Sequence, residues 1–187
     1  MELVKNLKQI NIFKYFLVIL LSSILLAISA KLKIPFYPVP MTMQTFMVLL
    51  IGVCFGWKLG GTIITFYLLE GIIGLPVFSG TPEKGSGIVY FLGPTMGYLL
   101  GFVFAAMLCG ILRFNKNIIL NFLKLILSVS IIYFLGVLWL GTLIGWDKPI
   151  IDLGVTPFLL AELFKIALLA IIVTLFNDKL SVLKRWM

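Results

Sequence analysis

The stretch T-P-F-L-L-A-E-L-F-K-I-A-L-L-A-I-I-V-T-L-F, residues 156–176, is the last hydrophobic segment of the chain. It is long enough to cross a bilayer as a helix, yet it carries Glu162 and Lys165 within its first two turns. Residues three apart on a helix share one face, and charge at membrane depth is costly unless it faces protein, water or a ligand. We therefore interpret the pair as the polar end of a small-molecule site. The alternative is an intrahelical ion pair without a ligand.

The composition indicates a membrane protein with several spanning helices. Of the 187 residues, 61% are hydrophobic and only 12% are charged, whereas soluble domains are about half apolar and about a quarter charged. The apolar excess extends over the whole length, and no polar stretch is long enough to form a second domain. We predict a single all-α membrane domain over residues 1–187, a compact bundle of six spanning helices at about 12–30, 43–56, 58–76, 91–112, 122–144 and 156–176.

The positive charges follow the pattern of cytoplasmic loops. The net charge is +8, but Lys and Arg lie in short connections between apolar runs, which argues against a nucleic-acid-binding protein. With six spans both termini share one side, and that side carries ten Lys and Arg residues. The positive-inside rule therefore predicts a multi-pass membrane protein with both termini in the cytoplasm. The opposite, outer side carries Lys31, Lys33, Lys84 and Lys148.

Catalytic and metal-binding motifs are missing from the sequence. The chain contains no histidine, which removes the usual general base and metal ligand. It has no P-loop, no H-E-x-x-H and no G-x-S-x-G, so any ATP hydrolysis must come from another protein. Cys54 and Cys109 lie within apolar runs and are interpreted as buried thiols. We predict neither an enzyme nor a cofactor or metal site.

Two irregular segments are predicted to cover the charged pair from outside. Residues 34–45, which we call the flap, contain three prolines, and these prevent a regular helix and favour a rigid extended segment. Residues 74–90, which we call the lid segment, are rich in Gly, Ser and Pro. Such a composition suits a loop whose backbone approaches a ligand closely.

The first span carries a stripe of small residues with a spacing of three to four, namely Ser22, Ser23, Ala27 and Ala30. In lipid, such a stripe lets the backbones of two helices approach closely. It could face another span of this chain or a different protein, and the residues alone leave both alternatives open.

Five stretches occur in a characteristic order along nearly the whole chain. They are I-P-F-Y-P-V-P-M-T-M-Q-T (34–45), G-L-P-V-F-S-G (74–80), L-G-P-T-M-G-Y-L-L-G-F (92–102), G-V-L-W-L (136–140) and P-F-L-L-A-E-L-F-K (157–165). The second and fourth are weak individually, but together with P-F-x-P-V-P-x-T-x-Q the set is highly specific. In this set the chain resembles the BioY family, the biotin-specific S-components of energy-coupling-factor (ECF) transporters.

The resemblance implies a six-helix protein that binds biotin from outside, near the outer face, and does no chemistry on it. Uptake would require a transmembrane T-component and two cytoplasmic ATPases as partners. In S-components an Ala-x-x-x-Ala stripe on the first helix contacts the T-component, and Ser23 and Ala27 occupy that stripe here. The alternatives are an S-component for another vitamin or a biotin precursor, or a non-transporting membrane scaffold subunit.

One departure from the family pattern affects the expected site. The family usually has P-F-x-P-G-D-x-x-K at the start of the last helix, where the Asp and Lys belong to the biotin site. This chain retains Lys165 but has Leu160, Ala161 and Glu162 in place of Pro, Gly and Asp. Glutamate keeps the charge on a longer side chain, so a close relative of biotin stays open as the ligand. The residues predicted to bind the ligand are Lys165, Glu162, Gln44 and Tyr90, with Phe36, Pro40 and Phe78 as apolar walls.

The Lys165→Ala variant should bind biotin more weakly by on the order of 2–4 kcal/mol, because it leaves a desolvated charge unmatched. A lysine favours the valerate carboxylate of biotin, and a glutamate favours its ureido N–H groups. Calorimetric titration of the purified protein measures the change. Wild-type affinity in the variant would contradict the assignment of the site.

Overall fold

The computed structural model describes residues 2–35, 37–83 and 85–177, with the side chains of residues 2–11 excepted. The predicted wall residue Phe36, the loop residue Lys84 and the basic tail from residue 178 lie outside this range. The elements in chain order are α1 (Glu2–Lys31), β1 (Lys33–Ile34), β2 (Met41–Thr42), α2 (Gln44–Ile72), α3 (Gly87–Phe91), α4 (Met96–Ile111), α5 (Ile118–Ile144), α6 (Ile150–Gly154), a 3₁₀ turn (Thr156–Phe158) and α7 (Leu159–Leu175).

Helix α2 is two helices joined at Gly56. The backbone there leaves the helical region, with φ 75° and ψ 179°, a conformation that glycine adopts without the Cβ penalty of other residues. The two halves, 44–55 and 57–72, fold back on each other so closely that a Cβ on Gly60 would lie 3.3 Å from the Cα of Gly52. A turn between the second and third spans is thus present where the sequence predicted it.

Six long helical segments make up the bundle within the described residues, counting α1, both halves of α2, α4, α5 and α7. This confirms the prediction of an all-α six-helix membrane bundle. With α2 counted whole, the described part of the chain has four helices that are long and apolar enough to cross a membrane, and Met96–Ile111 is a shorter apolar helix.

The observed helix bounds differ from the expected spans at several ends. The third span ends at Ile72 rather than near residue 76, and the fourth begins at Met96 because α3 forms a separate short helix before it. The fifth begins at Ile118, where the side chain of Asn117 accepts a hydrogen bond from the Leu120 amide and so satisfies a free N–H group of the first turn. The last span is preceded by α6 and the 3₁₀ turn.

Helix α4 packs closely against its two neighbours through glycines. A Cβ on Gly97 would lie 2.2 Å from the Leu135 carbonyl oxygen of α5, and one on Gly52 of α2 would lie 2.4 Å from the Ala106 carbonyl oxygen of α4. Contacts this close require the absence of a side chain. They fix α4 between α2 and α5, and residues of all three helices line the pocket described below.

The small-residue stripe of α1 faces α2 of the same chain. Ser23 is fully buried, and its hydroxyl donates to Glu70 Oε1 at 3.2 Å. Ala27 is half-buried and packs against the core. Of the two alternatives that the sequence left open, the structure thus favours packing of the stripe against another span of this chain. A contact of Ser23 and Ala27 with a partner stays a prediction.

Candidate ligand-binding site

A pocket lies beneath the flap and the lid segment, between α2, α4, α5 and α7. Its free cavity volume is about 50 Å³. Binding sites for small molecules are typically about 300–1,000 Å³, so the walls of this pocket would have to separate to admit a ligand of that size. Of the predicted site residues, the pocket lining includes Pro40, Gln44, Phe78, Tyr90, Glu162 and Lys165.

The flap is a small β-hairpin. Lys33 pairs with Thr42, and Ile34 pairs with Met41 in an antiparallel register. The peptide bond between Tyr37 and Pro38 is cis. Only Met43 separates the second strand from the first residue of α2, so the hairpin fixes the position of the polar residues that begin this helix.

The charged pair of α7 is an ion pair. Lys165 Nζ lies 2.7 Å from Glu162 Oε2, and both side chains are buried. The ammonium group also donates to the Thr42 carbonyl oxygen at 3.0 Å and to Thr45 Oγ1 at 2.6 Å. Because a lysine has three N–H donors, all of them have acceptors inside this chain.

The carboxylate of Glu162 is bound by the protein through only one of its two oxygens. Besides Lys165, its Oε2 accepts hydrogen bonds from Thr45 Oγ1 at 3.0 Å and from Tyr133 OH at 3.2 Å. Its Oε1 is buried and has no hydrogen-bond partner among the described residues. A buried acceptor without a donor costs about 1–3 kcal/mol, so this oxygen is the atom of the pocket that most requires a donor from a ligand.

The side chain of Gln44 donates to Tyr67 and not to the ion pair. Its Nε2 donates to Tyr67 OH at 2.8 Å, and Tyr67 OH donates to the Val77 carbonyl oxygen at 3.0 Å. Gln44 is buried, which distinguishes it from an interfacial residue at a helix start. Through this chain of hydrogen bonds, Gln44 connects the beginning of α2 to the lid segment.

The lid segment supplies an aromatic wall. Phe78 is fully buried, and its ring stacks on that of Tyr90 with the centroids 5.4 Å apart. Tyr90 OH accepts a hydrogen bond from the Gly80 amide at 3.0 Å and shares another with Ser79 Oγ at 3.0 Å. A Cβ on Gly80 would lie 2.6 Å from the Tyr90 ring, so the glycine permits the backbone to approach the ring closely.

The sequence did not indicate three polar residues of this pocket as site residues. Thr45 and Tyr133 both bind Glu162, and Tyr98 donates to the Gly154 carbonyl oxygen at 2.8 Å. Thr45 follows the predicted site residue Gln44 directly and is the last residue of the flap. The hydroxyls of the two tyrosines lie within apolar spans, and such a hydroxyl needs a partner when buried. This need for a hydrogen-bond partner was the feature of the sequence that could have indicated the two tyrosines.

The Thr45→Val variant should lose about 1–3 kcal/mol of stability, because Lys165 loses an acceptor and Glu162 loses a donor in a buried site. Thermal unfolding in detergent measures this as a lower Tm. Thr142→Val is the matched control, since Thr142 is exposed on α5 and its hydroxyl binds only the nearby Trp139 carbonyl oxygen in the described structure. An equal Tm in the two variants would contradict a bridging role for Thr45.

Comparison with known proteins gives matches over most of the chain. The family model described as the BioY family matches residues 4–181. A protein of Pyrococcus horikoshii named "Probable biotin transporter BioY" is 36% identical over 148 residues, which cover 79% of this chain and 86% of that protein. A protein of Thermotoga maritima named "Biotin transporter BioY" is 36% identical over 149 residues, with coverages of 79% and 86%.

A solved structure matches the fold. It is described as the S-component for biotin from an ECF-type ABC transporter, and it superposes with a TM-score of 0.74 at 24% sequence identity. The match covers 90% of this chain and 93% of that chain. At this identity the likeness shows that the two chains share the fold.

Proposed function

Because this chain belongs to the BioY family, we propose that it is the biotin-binding membrane subunit of an ECF transporter. It is a transport protein and not an enzyme. It captures biotin from outside in the pocket beneath the flap and the lid segment, and it delivers biotin together with an ATP-driven ECF module.

The observation that carries this proposal is the free oxygen of Glu162. Its Oε1 is buried in the pocket without a hydrogen-bond partner among the described residues. The ureido ring of biotin carries two N–H donors, and an ionised carboxylate accepts hydrogen bonds only. A ureido N–H on Oε1 would satisfy the one buried side-chain acceptor that the described residues leave without a partner.

The contacts of Lys165 support a proposal that differs from the role the sequence favoured for it. Its three donors are already bound to Thr42, Thr45 and Glu162, so a ligand carboxylate would have to displace one of these acceptors. We propose that Lys165 neutralises Glu162 and fixes its orientation, and that removing Lys165 weakens binding through Glu162.

The apolar part of the ligand would lie against the aromatic walls. Phe78 and Tyr90 stack on one side, and the rings of Tyr98 and Tyr133 meet edge to face on the other, with their centroids 6.1 Å apart. The fused rings of biotin are compact and largely apolar beyond the ureido group. Such walls would contribute affinity mainly through buried area.

The Glu162→Gln variant should bind biotin more weakly by about 2–4 kcal/mol, because the amide lacks the charge and leaves Lys165 without its counter-ion. The Glu162→Asp variant should retain binding, since aspartate keeps the charge at this position. Calorimetric titration measures both. Asp152→Asn is the control, since Asp152 is an exposed acid of α6.

The same titration with other ligands separates the alternatives. Binding of dethiobiotin at the affinity of biotin would favour a biotin precursor, and binding of riboflavin or thiamine without biotin would favour another vitamin. Absence of binding to all four would overturn the proposal in favour of a scaffold subunit. Biotin amide, which lacks the carboxylate charge, tests whether Lys165 meets that end of the ligand.

The transport partners are proposed to be a T-component and two cytoplasmic ATPases in the plasma membrane. The described α1 exposes a face of large apolar residues, including Leu21, Leu25 and Ile28, beside the half-buried Ala27. A partner helix could pack against α1 at Ala27, where the smaller side chain lets backbones approach closely.

The Ala27→Leu variant should abolish copurification of coexpressed T-component and ATPases, because the larger side chain prevents close helix packing. Ile28→Leu is the control, since Ile28 is the exposed neighbour on the same helix. Tm values equal to that of the wild type in both variants would exclude a general loss of folding. Unchanged copurification would instead assign the stripe to internal packing alone.

A further inference from the structure

We propose that Lys31 is a positioning residue that holds the lid segment closed from the side opposite the pocket, and that it thereby sets how long the ligand stays bound. The proposal deepens the function proposed above and rests on it for the identity of the ligand. Lys31 is the last residue of α1, and neither it nor Lys33 lines the pocket.

Two lysines bind three carbonyl oxygens of the lid segment. Lys31 Nζ donates to Phe78 O at 2.8 Å and to Thr81 O at 2.7 Å. Lys33 Nζ donates to Ser79 O at 2.8 Å and lies 3.2 Å from Glu83 Oε2. The last residue of α1 and the first residue of β1 thus both bind the turn 78–81.

The lid segment depends on such external donors. Within 74–86, the described backbone hydrogen bonds that join residues of the segment to each other are Val77 to Leu75, Thr81 to Phe78 and Gly85 to Pro82. Backbone carbonyls without partners are costly when removed from water. The Phe78 carbonyl also accepts from the amide and the hydroxyl of Thr81, so the lysines matter most for the carbonyls of Ser79 and Thr81. Hydrogen bonds from an ammonium group are about twice as strong as neutral ones, so the lysines are the stronger part of this attachment.

The residues that the lysines hold are the same ones that form the pocket wall. The Phe78 ring stacks on Tyr90, and Ser79 and Gly80 both bind Tyr90 OH. The carbonyl of Phe78 instead accepts from Lys31 at the end of α1, and that of Ser79 accepts from Lys33 of β1. Any outward movement of the Phe78 wall must therefore break the bonds to Lys31 as well as the contacts with Tyr90.

Lys31 has a larger expected effect than Lys33. Lys31 binds both ends of the turn, at Phe78 and Thr81. Lys33 binds one carbonyl, and the side chain of its acidic partner Glu83 is 74% exposed. An ion pair with so exposed a partner adds little to stability. Lys31 is therefore the residue to test, and Lys33→Met should show a smaller change in the same direction.

The kinetic test uses the full-length protein, with biotin and stopped-flow tryptophan fluorescence or radioligand release. Lys31→Met should raise the dissociation rate constant about tenfold with little change in the association rate constant, because two charge-assisted bonds that hold the lid are lost. Lys31→Arg retains a cationic donor and should restore slow dissociation. Lys148→Met, at an exposed lysine on the same outer side, should match the wild type.

The dissociation rate decides the kinetic test. An unchanged dissociation rate in Lys31→Met would overturn the proposal, as would a loss of binding sites per protein at an unchanged rate, which indicates a folding role. Equal acceleration in Lys31→Arg would overturn it too, because the donated bonds would then be irrelevant.

Hydrogen exchange of the ligand-free protein tests the same attachment without biotin. In Lys31→Met the amides of Gly80 and Thr81, both hydrogen-bonded within the closed lid, should exchange faster while peptides of α4 stay unchanged. Exchange equal to the wild type would contradict the proposal. Failure of the wild type to bind biotin would reject the proposed ligand, and the exchange result would still decide the role of Lys31.

Discussion

The buried ion pair of Glu162 and Lys165 is the interaction on which the architecture of this protein depends. Two buried charges are stable only when hydrogen bonds satisfy their remaining groups, since desolvation costs several kcal/mol per ion. Those bonds come from Thr42 in strand β2 of the flap, from Thr45 in the first turn of α2 and from Tyr133 of α5. The flap hairpin, the start of α2, α5 and α7 must therefore meet at one point, which lies at the base of the pocket.

The two members of the pair are not equivalent. The lysine gives all three donors to the protein, whereas the glutamate gives one oxygen to the protein and leaves the other free among the described residues. The sequence favoured Lys165 as the firmer ligand contact, because a cation suits a carboxylate. The geometry instead favours Glu162, the member that departs from the usual residue of the family.

The sequence was sufficient to predict the class of fold and the location of the pocket, because both follow from strong local constraints. Apolar runs, glycines at turns and two charges inside a span each have few physical explanations. The hydrogen-bond partners were not predictable in the same way. Tyr133 lies among apolar residues like many core aromatics, and the orientation of Gln44 is set by Tyr67, 23 residues away. In the sequence, Lys31 and Lys33 were recognisable only as charges in a connection between spans. Their hydrogen bonds were not predictable, because the acceptors are backbone carbonyls of a distant loop.

The break at Gly56 also determines how the rest of the chain is oriented across the bilayer. A continuous helix over 44–72 would be about 43 Å long and would count as one crossing. Each later segment would then cross in the opposite sense, so the lid segment and the first turns of α7 would open towards the cytoplasm. The two ends of the chain would also lie in different compartments. Whether the chain crosses the bilayer an even or an odd number of times thus depends on the backbone of one glycine. The direction from which a ligand arrives depends on it as well.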